Sequence, residues 1–321
     1  MKNIPVTRAS YLMEFTRWLR KIGAPVDSEL ARARLPVFFE DTPDAYISLN
    51  LVVVFLMRNA TKESVHDLGF SAGWQTRFDN FTPIMKHALQ NAPGTRARIE
   101  NFIRFVHLED NTVKASMKRE GKAVRVCISG DYPELDLQIT EWQQIKALIE
   151  VVRSGESHWL PTEITFRSCF TPGPAAFAQL GDTRIRTGQP ETSILFPLSV
   201  LGASPVIFDE QTETNQNSIV TLRKAIEPYL TSGGPPIELA AEIVGSSKRS
   251  LQRHLSEQQT SYSELIDHAR FDKASHLLAD QDMKIVDVAL AVGYQDSSNF
   301  SRAFRRISGL GPREFRKQYI T

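Results

Sequence analysis

The 321 residues hold 38 Lys and Arg against 37 Asp and Glu, a net charge of +1, and 41% of them are hydrophobic. That composition is normal for packed globular domains and excludes a disordered, collagen-like or small disulfide-stapled chain; the length corresponds to two domains. The longest apolar run, Leu51 to Met57, is seven residues, against the ~20 that a membrane-spanning helix needs.

The N-terminus, Met1-Lys2-Asn3-Ile4-Pro5, lacks the apolar centre of a signal peptide. The two cysteines, Cys127 and Cys169, suit reduced thiols in a cytoplasmic protein.

The segment before residue 94 reads as helical, with Ile47 to Met57 open to either helix or strand. Gly69-Phe70-Ser71-Ala72-Gly73 fits the G-x-S-x-G spacing of a nucleophile elbow. That chemistry needs a buried strand just before the serine, and Glu63 to Leu68 does not read as one, so a glycine-bounded loop after a helix is expected. Thr95 is placed to cap a helix whose Ile99, Phe102, Ile103 and Val106 recur at helical spacing.

Asn111 to Met117 and Lys122 to Ser129 read as a hairpin around Glu120-Gly121, with Val124, Val126 and Ile128 on one face. A helix follows from Glu141 to Arg153, burying Ile145, Leu148, Ile149 and Val152. The alternation of Ile164, Phe166, Ser168 and Phe170 predicts a strand, with shorter strands near Thr183–Arg186 and Ser193–Phe196. Residues 1–207 are therefore expected to form one α+β domain. Within it Arg125 and Arg167 share strand faces with Cys127 and Cys169, and would clamp a ligand carboxylate if those faces line a cavity.

Residues 208–217 are polar and lack apolar periodicity, as a linker does. From 218 to 321 the pattern is all-α. Ile237 to Val244 is a short helix ended by Gly245, Ser246-Ser247 offers an N-cap, and Leu251 and Leu255 mark the buried side of the next helix. A long helix, Tyr262 to Ala279, buries Leu265, Ile266, Ala269, Leu277 and Leu278. The arrangement then recurs: Ile285 to Val292, a turn at Gly293, a cap at Asp296 or Ser297, and a helix burying Phe300, Ala303, Phe304 and Ile307. Helix, glycine turn and capped helix make a helix-turn-helix, here at about 237–257 and again at about 285–307.

The charge, balanced overall, is focused on these motifs. Residues 297–317 carry Arg302, Arg305, Arg306, Arg313, Arg316 and Lys317 against Glu314 alone. On the first capped helix the leucines leave Lys248, Arg249, Gln252 and Arg253 facing outward. On the second, Ser297, Ser298, Asn299 and Arg302 are the outward N-terminal positions. Arg pairs bidentately with guanine and Gln with adenine in the major groove, while Arg305 and Arg306, a turn further on, suit phosphates. The seven histidines form neither H-E-x-x-H nor a Cys/His cluster, so no metal and no cofactor are expected.

Two runs, LAAEIVGSSKRSLQRHL and IVDVALAVGYQDSSNFSRAFRRISGLGPREFR, resemble the DNA-binding domain of AraC/XylS-type transcription regulators. The resemblance implies base contacts from Arg249, Gln252, Arg253, Ser298, Asn299 and Arg302 in two successive major grooves. Ser298 is short, so the second helix is expected to rely more on shape and phosphate contacts. The stretch GDTRIRTGQPETSILFPLSVLGASP, with weaker agreement back to Leu35-Pro36, resembles the arabinose-binding-like N-terminal effector domain of the branch that includes ornithine-utilisation regulators.

Together these imply a non-enzymatic, effector-responsive activator in bacteria. Its partners would be promoter DNA, RNA polymerase, a small-molecule effector and a second copy of the chain in a homodimer. The rivals are a DNA-binding regulator controlled by a protein partner or by redox state instead of a ligand, and an enzyme fused to a DNA-binding module.

Overall fold

The computed structural model describes residues 4–36, 39–62, 67–130, 138–153, 159–202 and 218–319; the linker expected at 208–217 lies outside them. By contact the chain divides into two compact units. One takes Thr7–Ala33 and Val52–Asn215, and the other takes Met1–Val6, Arg34–Leu51 and Gln216–Thr321. The elements, in chain order, are β1 (Val6–Arg8), α1 (Ala9–Lys21), α2 (Val26–Arg32), β2 (Tyr46–Ser48), α3 (Leu49–Lys62), α4 (Leu68–Gly73), α5 (Pro83–Gln90), α6 (Thr95–Phe105), β3 (Val113–Glu120), β4 (Ala123–Gly130), α7 (Gln138–Arg153), β5 (Glu163–Thr165), α8 (Pro174–Leu180), β6 (Arg184–Arg186) and β7 (Thr192–Pro197), followed by α9 (Ser218–Ile226), α10 (Ile237–Ile243), α11 (Lys248–Glu257), α12 (Tyr262–Leu277), α13 (Ile285–Ala291), α14 (Ser297–Ser308) and α15 (Pro312–Tyr319). An α+β N-terminal part thus precedes an all-α C-terminal part.

The first unit is built on a five-stranded sheet in the order β3-β4-β7-β5-β6. Neighbours run antiparallel except β5 and β6, which are parallel. The β3–β4 hairpin turns through Gly121-Lys122, one residue later than expected, and Gly121 supplies the left-handed backbone with φ +62°. Val124, Val126, Ile128, Ile164, Ile194 and Phe196 are buried on the apolar face. The α7 stripe of Ile145, Leu148, Ile149 and Val152 is buried as expected, together with Trp142.

The opposite face of the sheet is polar. Arg125 bridges Glu120 at 2.6 Å and Glu163 at 3.0 Å and donates to Ser193 Oγ, while Lys118 pairs with Glu191 at 2.8 Å. Cys127, buried beside Glu191, has its thiol pushed up to about 12 by burial.

Several local expectations are corrected. Thr95 is the first residue of α6 and caps nothing; Gly94 holds the cap position, with no side chain to bond. The Gly69–Gly73 segment is itself the helix α4 and not a loop, as a strand-to-helix elbow would also require it not to be. Ile47 and Ser48 end a short strand, but Leu49 to Met57 is helix. The strand predicted through Phe170 stops at Thr165, because the N–H groups of Arg167 and Ser168 donate to side chains, the buried Glu141 carboxylate and, for Arg167, also Thr192 Oγ1, and not to the backbone carbonyls of a neighbouring strand.

In the second unit, Leu222, Ala225, Ile226, Leu230, Ala240, Ile243, Leu251, Leu255 and Leu265 are buried around α9 to α12. A second cluster of Ala274, Leu278, Val288, Ala289, Val292, Phe300 and Phe304, with Phe271, Tyr294 and Phe315 packed on it, holds α12 to α15 together. Among the described residues no helix is long and apolar enough to cross a membrane.

Candidate nucleic-acid interface

The first motif is α10, a turn and α11. Gly245 has φ +63°, and the N–H groups of Gly245 and Ser246 donate to Glu242 and Ala241 carbonyls, closing the end of α10. Ser247 then caps α11, its Oγ accepting from the Ser250 N–H at 3.2 Å. Leu251, His254 and Leu255 turn inward, and His254 Nε2 lies 2.9 Å from Ser218 Oγ. His254 is therefore a helix-packing residue. With that side committed, Lys248, Arg249, Gln252 and Arg253 are exposed on the other.

The second motif repeats the device. Gly293 has φ +83°, and Asp296 caps α14 by accepting from the N–H groups of Ser298 at 2.9 Å and Asn299 at 2.7 Å. Those hydrogen bonds, the Asn299 backbone one foremost, hold the Asp296 carboxyl below its ordinary range. Phe300 and Phe304 are buried, Ser298, Asn299, Arg302, Arg305 and Arg306 are exposed, and Ser297 is half-buried. The Asp296 carboxylate also accepts from the Asn299 side-chain amide, and Asn299 Oδ1 accepts from Arg302 Nη2 at 2.5 Å. An amide and a guanidinium are thereby held side by side at the exposed start of α14.

Most of the outward cations have an intramolecular partner. Lys248 meets Glu238 at 2.7 Å, Arg253 meets Glu257 at 3.7 Å, Arg305 meets Glu314 at 3.0 Å and Arg306 meets Asp267 at 2.5 Å. Exposed pairs of this kind are worth about 0–1 kcal/mol, so an incoming phosphate exchanges with the carboxylate at little cost. Arg249 has no ion-pair partner among the described residues.

One cation of the predicted basic segment does not belong to this surface. Arg316 is half-buried and donates to the carbonyls of Leu278 at 3.1 Å and Met283 at 2.7 Å, closing the end of the long helix. Nothing in its local sequence separates it from Arg313 and Lys317.

A residue that sequence reasoning passed over is Arg270, on α12. It donates to the Gly233 carbonyl at 3.0 Å, and its guanidinium carbon lies 4.8 Å from the Tyr294 ring centroid. Thr231 Oγ1 donates to the Ala291 carbonyl at 3.1 Å. The turn before the first motif and the turn of the second are thus tied to each other and to the helix between them.

The two arginines considered for a ligand are not alike. Arg125 is inside its ion-pair network and only 16% exposed. Arg167 is exposed beyond the end of β5, where its backbone N–H, and not its side chain, holds Glu141. Among the described residues no group of three or more His, Cys, Asp or Glu is placed to hold a metal ion.

A family model described as "Helix-turn-helix domain" matches residues 240–318. The chain is 40% identical over 83 residues to the ornithine utilization regulator of Pseudomonas aeruginosa, a match covering 26% of this chain and 24% of that protein. It is 24% identical over 330 residues to the HTH-type transcriptional regulator VirS of Mycobacterium tuberculosis, covering 96% of each. Among solved structures, the transcriptional regulator CdpR of Pseudomonas aeruginosa aligns over 91% of this chain and 96% of that one, at 21% identity and a TM-score of 0.37. The chain spans between a quarter and a half of the length of three of its curated relatives.

Proposed function

We propose that this chain, of the AraC/XylS type through its C-terminal helix-turn-helix domain, is a transcription regulator that reads promoter DNA with α11 and α14 in two successive major grooves. The observation that carries this reading is the pair of capped helices, each with an apolar side sealed into its own core and a polar, basic N-terminal side left in solvent. A helix-turn-helix enters the major groove by the N-terminal residues of its second helix. Those positions hold Arg249, Gln252 and Arg253 on one helix and Ser298, Asn299 and Arg302 on the other, the groups whose geometry matches base edges. Lys248, Arg305 and Arg306 flank them as phosphate contacts, and Ser297 opens α14.

In this reading residues 1–207 form the effector and dimerisation domain, 208–217 the linker and 218–321 the DNA-binding domain of a cytoplasmic bacterial activator. A small molecule bound by the N-terminal domain alters which half-sites a homodimer holds, or its contact with RNA polymerase. For that the effector must bind the two states unequally.

The test is selection of sequences from a random duplex pool by the full-length protein, followed by footprinting. Enrichment of a motif with two protected patches about 10 bp apart supports the reading; retention that is independent of sequence overturns it. The effector is sought by thermal unfolding against amino acids, polyamines, fatty acids and sugars, since a ligand at 100 times its Kd adds ~2.7 kcal/mol if it binds only the folded state.

A further inference from the structure

Arg34–Leu51 comes from the N-terminal part of the sequence yet belongs by contact to the unit that carries both helix-turn-helix motifs. Its polar contacts there converge on the end of α10 and the turn into α11. Ser48, fully buried, donates from Oγ to the Ile243 carbonyl at 2.8 Å. Ile243 is the last residue of α10, so that carbonyl is one of the four a helix cannot pair within itself. Arg34 Nη1 lies 2.7 Å from Glu242 Oε1. A Cβ built on Gly245 would stand 2.9 Å from Asn50 Nδ2.

Two more contacts fasten the segment to the flank of the motif. Tyr229 donates its hydroxyl to the Arg34 carbonyl at 2.9 Å, and Lys224 Nζ lies 5.1 Å from the Tyr46 ring centroid. The side-chain contacts of α13 and α14 described above run instead to Thr231, Asp267 and Glu314, so the strap reaches them only by way of the Tyr229–Thr231 segment.

We propose that the described residues of Arg34–Asn50 form a strap through which the N-terminal α+β part of the chain acts on the first helix-turn-helix more directly than on the second. The covalent path is short at both ends. The chain enters the strap directly after α2 and leaves it along α3, whose second residue is Asn50. A displacement of α2 or α3 therefore pulls on Ser48 and Asn50, which touch the carbonyl end of α10 and the glycine that aims α11. Release of the strap returns the Ile243 carbonyl to water and loosens the turn before the recognition helix. The inference deepens the function proposed above by naming where control enters, and rests on that reading only for the use to which the movement is put.

Amide hydrogen exchange of the full-length protein, without DNA or effector, tests the strap directly. Ser48→Ala should raise exchange in residues 238–257 by about tenfold, as expected for losing one buried hydrogen bond, with 285–308 and the 113–130 hairpin unchanged. Arg34→Ala and Glu242→Ala, which remove an exposed pair, should give the same pattern at lower amplitude and carry the test if Ser48→Ala does not fold. Unchanged exchange in 238–257, or equal acceleration in 285–308, overturns the strap. Because no DNA is present, the outcome is independent of whether sequence selection succeeds.

Discussion

Gly293 stands so close to Leu230 that a Cβ built on it would lie 2.0 Å from the Leu230 carbonyl oxygen and 3.3 Å from the Gly233 nitrogen. Gly293 is the turn of the second motif, and Leu230 precedes the first. The turn of the second motif therefore packs on the backbone of the segment that leads into the first, and α12 is not the sole connection between them. Arg270 and Thr231 hold the same junction by hydrogen bonds, so the angle between α11 and α14 is set by contacts as well as by the linking helix.

Two glycines separate that contact from simple backbone preference. Gly309, after α14, has φ +76° with nothing within 4 Å of its Cβ position, whereas Gly293 has φ +83° with backbone in the way. Gly309→Ala should cost about 1–2 kcal/mol, the usual penalty for a side chain in left-handed geometry. Gly293→Ala should cost on the order of 3 kcal/mol or more, since the carbonyl must also be displaced. Urea unfolding followed by helical circular dichroism gives both values; equal losses would mean the junction yields freely.

The start of α14 supports a sharper test of base reading. Arg302, held beside Asn299, is expected to contribute to one base position, so Arg302→Ala should weaken the selected duplex by ~1–3 kcal/mol and relax discrimination there. Arg302→Lys should not restore it, because a single ammonium lacks the guanidinium fork. Lys248→Ala should weaken all duplexes alike and lower the salt slope by about 1. Titrations at two salt concentrations distinguish these, and equal affinity of the wild type and Arg302→Ala for the selected duplex would remove Arg302 from base readout.

The helical periodicity, both glycine turns, and the Ser247 and Asp296 caps were legible because each is local: a short sequence window contains the residue and its partner. The exposed positions of α11 and α14 followed from the same windows. What was not legible depends on distant partners. Arg316 looks like its basic neighbours until the carbonyls of Leu278 and Met283 are brought to it, and the strand through Phe170 is cut short by Glu141, 26 residues before Arg167. Arg34–Asn50 carries no motif at all, so only the fold shows that Ser48 serves a helix end 195 residues away.

A buried ion pair in the first unit offers a prediction about stability alone. Arg8 and Glu109 lie 3.1 Å apart with side chains 3% exposed, and Glu109 also accepts from the Thr82 N–H, the Thr82 hydroxyl and the Tyr11 hydroxyl. Removing one charge leaves the other buried beside groups arranged for it, at a cost of about 3–5 kcal/mol. Glu109→Ala and Arg8→Ala should each lose that much in chemical unfolding. The double replacement Arg8→Met/Glu109→Leu should lose less than the sum of the two. Strict additivity would show that the two groups do not act as a pair.

The last prediction concerns pH and the first motif. Burial holds the His254 imidazole below its ordinary range, with Glu257 opposing in part. The folded form thus prefers the neutral ring, while the unfolded chain takes up a proton near pH 6.5. The resulting stability is present in full above that value and is lost as pH falls through about 6.5 toward the folded pKa. His107, also held low by burial, acts in the same direction in the other unit. Unfolding free energy should therefore fall between pH 7.5 and 5.5, and His254→Gln should flatten part of the slope while His107 keeps the rest. Exchange in 248–257 should show the same pH response in the wild type and lose it in His254→Gln; a variant that retains the full wild-type slope would place the titration elsewhere.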